Sequence, residues 1–352
     1  MSSIGKRNMK NSLRVLLLLI VGAAVAATAG FAANVATPEY KLSAAFKIGG
    51  DGGWDYATLH RGVLYVTRVT HTMAIDVATG KVVADIYGQK RSHGVALVPD
   101  AHRGFISDGG SGSVLIFDLK SHAVLGHVPA ADDADGIIYD RASNRVLVMC
   151  GDAHKLVAIA PDVNPNGGQP AASVDLGGSP EFTVADEKGK VYVNIADKHD
   201  VAVVDTKAMK VVARWPTAPG MRPTGMSMDR ATRRLFIGCR NKHLIVMNAD
   251  DGKIVADLPI GAFVDATAFR DGLAFASCGD GTLTIVREVS PDKFEVAQVL
   301  KTELGARTMA VDSTGVMIYL PTADLTFPAG SNPAHPRPVP VPETFRILVV
   351  TP

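Results

Sequence analysis

The chain has 352 residues, with 36 Lys+Arg against 35 Asp+Glu, a formal net charge of +1, 47% hydrophobic residues and 20% charged ones. That balance excludes an intrinsically disordered chain and lacks the basic footprint of a nucleic-acid binder, so no nucleic-acid partner is expected. A single stretch is long and apolar enough to cross a membrane, which excludes a polytopic membrane protein.

That stretch comes first. Lys6, Arg7, Lys10 and Arg14 precede an apolar run from Val15 to Ala29, with no acidic residue before Glu39. This is the layout of an export signal, assigned to residues 1–36, and it predicts a periplasmic or secreted protein with no membrane span after cleavage. Ala27-Thr28-Ala29 offers a cleavage site, Ala24-Val25-Ala26 and positions nearer Ala36 compete with it, and an uncleaved anchor is the alternative. No cysteine precedes Cys150, so there is no lipidation site in the segment. Without the four basic residues the charge is 32 − 35, or −3.

The remainder, residues 37–352, repeats one unit. An apolar core recurs around Tyr65, Phe105, Leu147, Tyr192, Phe236, Phe275 and Ile318, at steps of 40, 42, 45, 44, 39 and 43. Steps of this length belong to propeller blades. Each core is preceded by another apolar strand, for example Gly94 to Val98 or Phe182 to Ala185, and is followed by a third that commonly ends in Asp or Asn, as at Asp76, Asp118, Asp205 and Asn248. A Gly/Asp turn and an outer strand come next, as in Thr79-Gly80-Lys81-Val82-Val83-Ala84. Such runs predict antiparallel strands joined by hairpins. The last unit has only three strands at the C-terminus, and Tyr40 to Ile48 is expected to supply its fourth. The predicted fold is all-β: a seven-bladed β-propeller of four-stranded antiparallel blades, closed by an N-terminal strand that completes the last blade and protects the sheet edges.

Val191-Tyr192-Val193-Asn194 and Leu64-Tyr65-Val66-Thr67, each followed by a hydrophobic strand ending in Asp, a turn and Val-Val-Ala, resemble the units of YVTN-repeat β-propellers of bacteria, specifically the exported YncE-like group. The resemblance extends from about Tyr40 to Thr351, while the Gly-His and Trp-Asp pairs of WD40 repeats do not recur. It implies the architecture. It does not imply one activity, because that repeat serves binding, surface and redox proteins alike.

Aligning the first strands of the units places Asp55, His93, Asp135, Glu181, Thr224, Asp265 and Arg307 at one register, at intervals of 38, 42, 46, 43, 41 and 42. In a closed propeller they form a polar ring near the channel mouth, and all seven are candidate ligand-binding residues. Four are acids. Two carboxylates about 10 Å apart repel by roughly 1.7 kcal/mol at an effective dielectric of 20, so six pairs would cost on the order of 10 kcal/mol unless offset. Arg307 stands between Asp265 and Asp55 around the ring and can neutralise both. His93, Asp135 and Glu181 occupy consecutive units and form the candidate site for a divalent metal ion, the one cofactor suggested. The alternatives are a small-molecule or peptide site, and a ring that only ties converging loops to the blades.

On the same face lie His71, His154, His199 and His243, without the spacing of a metal or haem motif. The insertion from Phe327 to Pro342, with Pro333, Pro336, Pro338 and Pro340, favours an extended conformation over the mouth or against a partner, or serves as a rigid spacer. Cys150, Cys239 and Cys278 share one register in different units, too far apart for disulfides, and are expected to be buried thiols. No nucleophile elbow, phosphate loop or dinucleotide fingerprint stands in a supporting context. The expected function is therefore an exported binding or interaction module for an unidentified small molecule or protein. The alternative is a lactonase-like hydrolase or isomerase using His93, Glu181 and Arg307 as base, metal ligand and oxyanion stabiliser.

Overall fold

The computed structural model describes residues 38–312, 317–328 and 338–352. The expected export segment and most of the proline-rich insertion lie outside them.

Five four-stranded antiparallel sheets, one seven-stranded sheet and one two-stranded sheet make up the described residues in an all-β, propeller-like arrangement. The middle strands of each sheet are apolar on both faces because both faces are covered by neighbouring sheets. Lys190–Ile195 and Arg234–Cys239, for example, are buried from their second residue onward. Outer strands such as Lys210–Pro216 alternate exposed and half-buried residues, as one solvent-facing side requires.

The recurrent acid at the end of the third strand has a local cause. Asp76 Oδ1 accepts from the Thr79 amide at 2.8 Å and hydroxyl at 2.9 Å, and Asp118 and Asp205 accept from the amides of Ser121 and Ala208 at 2.7 and 2.8 Å. Asn248 does the same for Asp250 at 2.8 Å. Each side chain folds the turn that starts the outer strand, and the hydrogen bonds hold the Asp76 and Asp118 carboxyls below the usual carboxylate range.

The two ends of the described chain meet in one sheet. Lys41–Lys47 pairs with Arg346–Thr351 from Lys41 opposite Thr351 to Lys47 opposite Arg346, and so supplies the fourth strand expected from Tyr40 to Ile48. Lys81–Val98 is a single 18-residue strand, serving first as the outer strand against Val69–Asp76 and then as the inner strand against Arg103–Asp108, so two four-stranded units merge into one seven-stranded sheet. The expected loop between them stays extended because the buried Asp108 carboxylate accepts from the Lys90 and Arg91 amides at 3.0 and 2.7 Å.

The inner strands neighbour one another in sequence order: Ala57–His60, Lys81–Val98, Ala134–Asp140, Pro180–Ala185, Pro223–Asp229, Val264–Arg270 and Ala310–Val311, the last of which lies beside the first. Between successive sheets sit the hydrophobic clusters, such as Phe105, Ile116, Val146 and Val148 in one interval and Tyr192, Val203, Leu235 and Ile237 in another. Among the described residues no helix is long and apolar enough to cross a membrane.

Candidate functional site

A polar residue at the end of a second strand ties it to the inner strand of the following unit. Thr67 Oγ1 donates to the His93 carbonyl at 2.6 Å, Ser107 Oγ donates to the Asp135 carbonyl, and Asn194 Nδ2 donates to the Thr224 and Gly225 carbonyls at 3.0 and 3.1 Å. A different residue makes the corresponding bond to Asp55: Thr308 Oγ1, beside Arg307 and just before a first strand, donates to the Asp55 carbonyl at 2.7 Å. These bonds fall on the backbone of the register residues themselves. The polar fourth position of the repeat therefore both joins sheets and sets where the ring side chains start.

The register residues fall into two halves. In the first, His93 Nδ1 lies 2.6 Å from Asp55 Oδ2 and 3.6 Å from Asp135 Oδ1, while its Nε2 is 4.0 Å from Asp133. Donor atoms of Asp55, His93 and Asp135 all fall within 4.8 Å of one another. His93 Nε2 and Asp135 Oδ1 are buried without a hydrogen-bond partner. Glu181 is not in this group, so the three donors that converge are Asp55, His93 and Asp135 rather than His93, Asp135 and Glu181. The reason is geometric: His93 turns its Nδ1 toward Asp55 in the preceding unit, and Gly109 leaves the space its ring needs, since a Cβ there would stand 2.9 Å from Nε2.

In the second half, Asp265 faces two cations, Arg307 at 3.5 Å and Arg240 at 3.7 Å. Thr224 is buried, and its hydroxyl accepts from Arg240 Nε at 3.2 Å, so it orients a neighbour instead of facing a ligand. Arg240 was not legible as a ring member because it belongs to a second strand's end. Yet the equivalent residues are Val69, Gly109, Gly151, Ala196, Gly279 and Thr322, and a lone charge in that column is a usable signal. Asp133, which binds Arg91 and flanks His93, was likewise missed. The expected Arg307 neutralisation of Asp265 is present, but Asp55 takes His93 as its close partner.

Tyr56 and Phe182, each one residue past a ring acid, stack at 4.4 Å with 21° between their planes. They line a cavity of about 410 Å³ among the inner strands, so the acids have an aromatic floor on one side. Although 28% of the Asp55 side chain and 22% of that of Asp135 remain open to water, protein surrounds them on most sides. Burial raises both carboxyls, Asp135 well above its ordinary range, and the like charges around them add to the rise while His93 opposes it. For His93, burial disfavours the imidazolium, but the Asp55 hydrogen bond and the charges of Asp135, Asp55 and Asp133 outweigh it and push the group up to about 9. Burial, then Asp265, lifts Glu181 to about 7 against the pull of Arg240.

Among the described residues, His93, Glu181 and Arg307 make no hydrogen bond or ion pair with one another; Arg307 lies within electrostatic reach of Glu181. His243, the first residue of the strand His243–Asn248, is engaged by Asp257 at 2.7 Å, and the loop residue His199 accepts at Nδ1 from the Arg222 amide at 3.0 Å, which places both histidines in local structure. Cys150, Cys239 and Cys278 are buried free thiols, their pKa values pushed by burial up to about 12. A scan against protein-family models finds no match to this chain, and a search of curated proteins finds none either.

Proposed function

We propose that the chain is an exported, closed seven-bladed β-propeller of the YVTN-repeat type that works as a binding module at the mouth of its central channel, where a divalent cation is held by Asp55, His93 and Asp135. The cyclic order of inner-strand neighbours and the pairing of Lys41–Lys47 with Arg346–Thr351 support the closed ring. One observation carries the cation: a buried carboxylate oxygen of Asp135 with no hydrogen-bond partner lies 3.6 Å from an imidazole nitrogen that is already shared with Asp55. A buried acceptor left unmatched costs free energy, and a cation between these donors removes that cost.

One imidazole and two carboxylates suit Zn²⁺ or Mn²⁺. Proton and metal compete for the same nitrogen, since the ligand is neutral imidazole, so binding releases a proton and strengthens as pH rises. The test is thermal denaturation of chelator-treated protein titrated with Zn²⁺, Mn²⁺ and Ca²⁺. Saturable stabilisation that is lost in His93→Gln and in Asp135→Asn is expected, and wild-type protein that none of the ions stabilises refutes the cation site.

A further inference from the structure

The arginine half of the ring borders a second cavity, of about 420 Å³, whose wall includes Trp54, Phe263, Leu304 and Leu325 together with Arg240 and Arg307. That volume falls at the lower end of the range for small-molecule sites, and the mixture of apolar wall and few polar groups is the usual one. Phe263 and Leu304 are about half exposed, at 49% and 50%, so apolar surface is held in water around the opening.

The hydrogen bonding of the two arginines is incomplete. Arg307 donates no side-chain hydrogen bond among the described residues and only faces Asp265 at 3.5 Å. Arg240 spends Nε on Thr224 and stands 3.7 Å from the same carboxylate. Two guanidinium groups thus share one acid, and 41% and 44% of their side chains are open. Glu181, the other acid within electrostatic reach of Arg240, keeps its proton up to about 7 because of burial and the charge of Asp265, and so compensates only partly near neutrality. Guanidinium forks with unspent donors favour a planar, bidentate anion.

We propose that this cavity binds an organic monocarboxylate with an apolar body, its carboxylate on Arg307 and Arg240 and its ring or short alkyl chain against Trp54, Phe263 and Leu304. This assignment rests on reading the mouth as a binding face, but it is independent of the cation, whose donors lie in the other half. The donor set explains the preference: the guanidinium pair rewards the negative charge, and the side chains of Phe263, Leu304 and Leu325 pack against an apolar body.

The test is calorimetric titration of the protein, with and without chelator, using octanoate and phenylacetate as probes and octanol and phenylacetamide as neutral counterparts. Saturable binding of the acids alone is expected, weaker by about tenfold or more in Arg240→Gln and abolished in Leu304→Trp, which fills the cavity from an exposed position without altering charge. If Leu304→Trp does not fold, Arg240→Gln decides. The proposal is overturned if neither acid binds saturably, if the neutral counterparts bind equally well, or if folded Arg240→Gln binds the acids as wild type does. A Mn²⁺ titration of the same preparation reports the cation site separately, so either assignment can fail without the other.

Discussion

At neutral pH the His93 imidazole carries a proton that burial alone would remove. Asp55, Asp135 and Asp133 face it, with Arg91 engaged on Asp133, and together the acids raise the group to about 9. A histidine whose pKa is raised on folding contributes stability that is fully present below its unfolded value of about 6.5 and is lost as pH climbs through the folded value. Chelator-treated protein is therefore expected to lose on the order of 1–3 kcal/mol between pH 6.5 and 9. Glu181, also raised, binds its proton more tightly in the fold and lowers stability in the same sense at lower pH, up to about 7. The His93 contribution is read above that point. Asp135, also raised on folding, loses stability in the same sense, so melting temperature followed from pH 7 to 9 should fall in wild type and much less in His93→Gln/Asp135→Asn; parallel slopes would remove this pair from the account.

At the scale of the strand, the repeat reads as two hydrogen-bonding devices set in an apolar frame. The acid or amide closing the third strand folds a turn, and the Thr, Ser or Asn closing the second joins the next sheet. Asn194, buried and bonded to the Thr224 and Gly225 carbonyls, represents the second device. Asn194→Ala leaves both acceptors without this donor inside the core, so equilibrium denaturation should show a loss of about 1–3 kcal/mol. A loss within a few tenths would mean that the sheets are held by apolar packing alone. These elements were legible because hydrophobic period and turn residues are local. The unbroken Lys81–Val98 strand was not, because what holds it extended is the Asp108 carboxylate, contributed from another strand.

Across the whole molecule, the repeat spacing aligns seven register residues in the sequence, but spacing does not determine which way a side chain turns. His93 turns toward Asp55 instead of Glu181, and Arg240 enters from a different register to share Asp265 with Arg307. Both outcomes depend on side-chain length and on space left by small residues such as Gly109, which are properties of the assembled sheets. Donor atoms of Asp55, His93 and Asp135 thus converge on one side, and Arg240 and Arg307 line a separate cavity, the features on which the two proposed sites rest. Anomalous diffraction from crystals of chelator-treated protein soaked in Zn²⁺ or Mn²⁺ tests the central claim most directly. The account predicts one dominant peak within roughly 2.0–2.4 Å of donor atoms from Asp55, His93 and Asp135. No peak there, or a dominant one held by other residues, would contradict it.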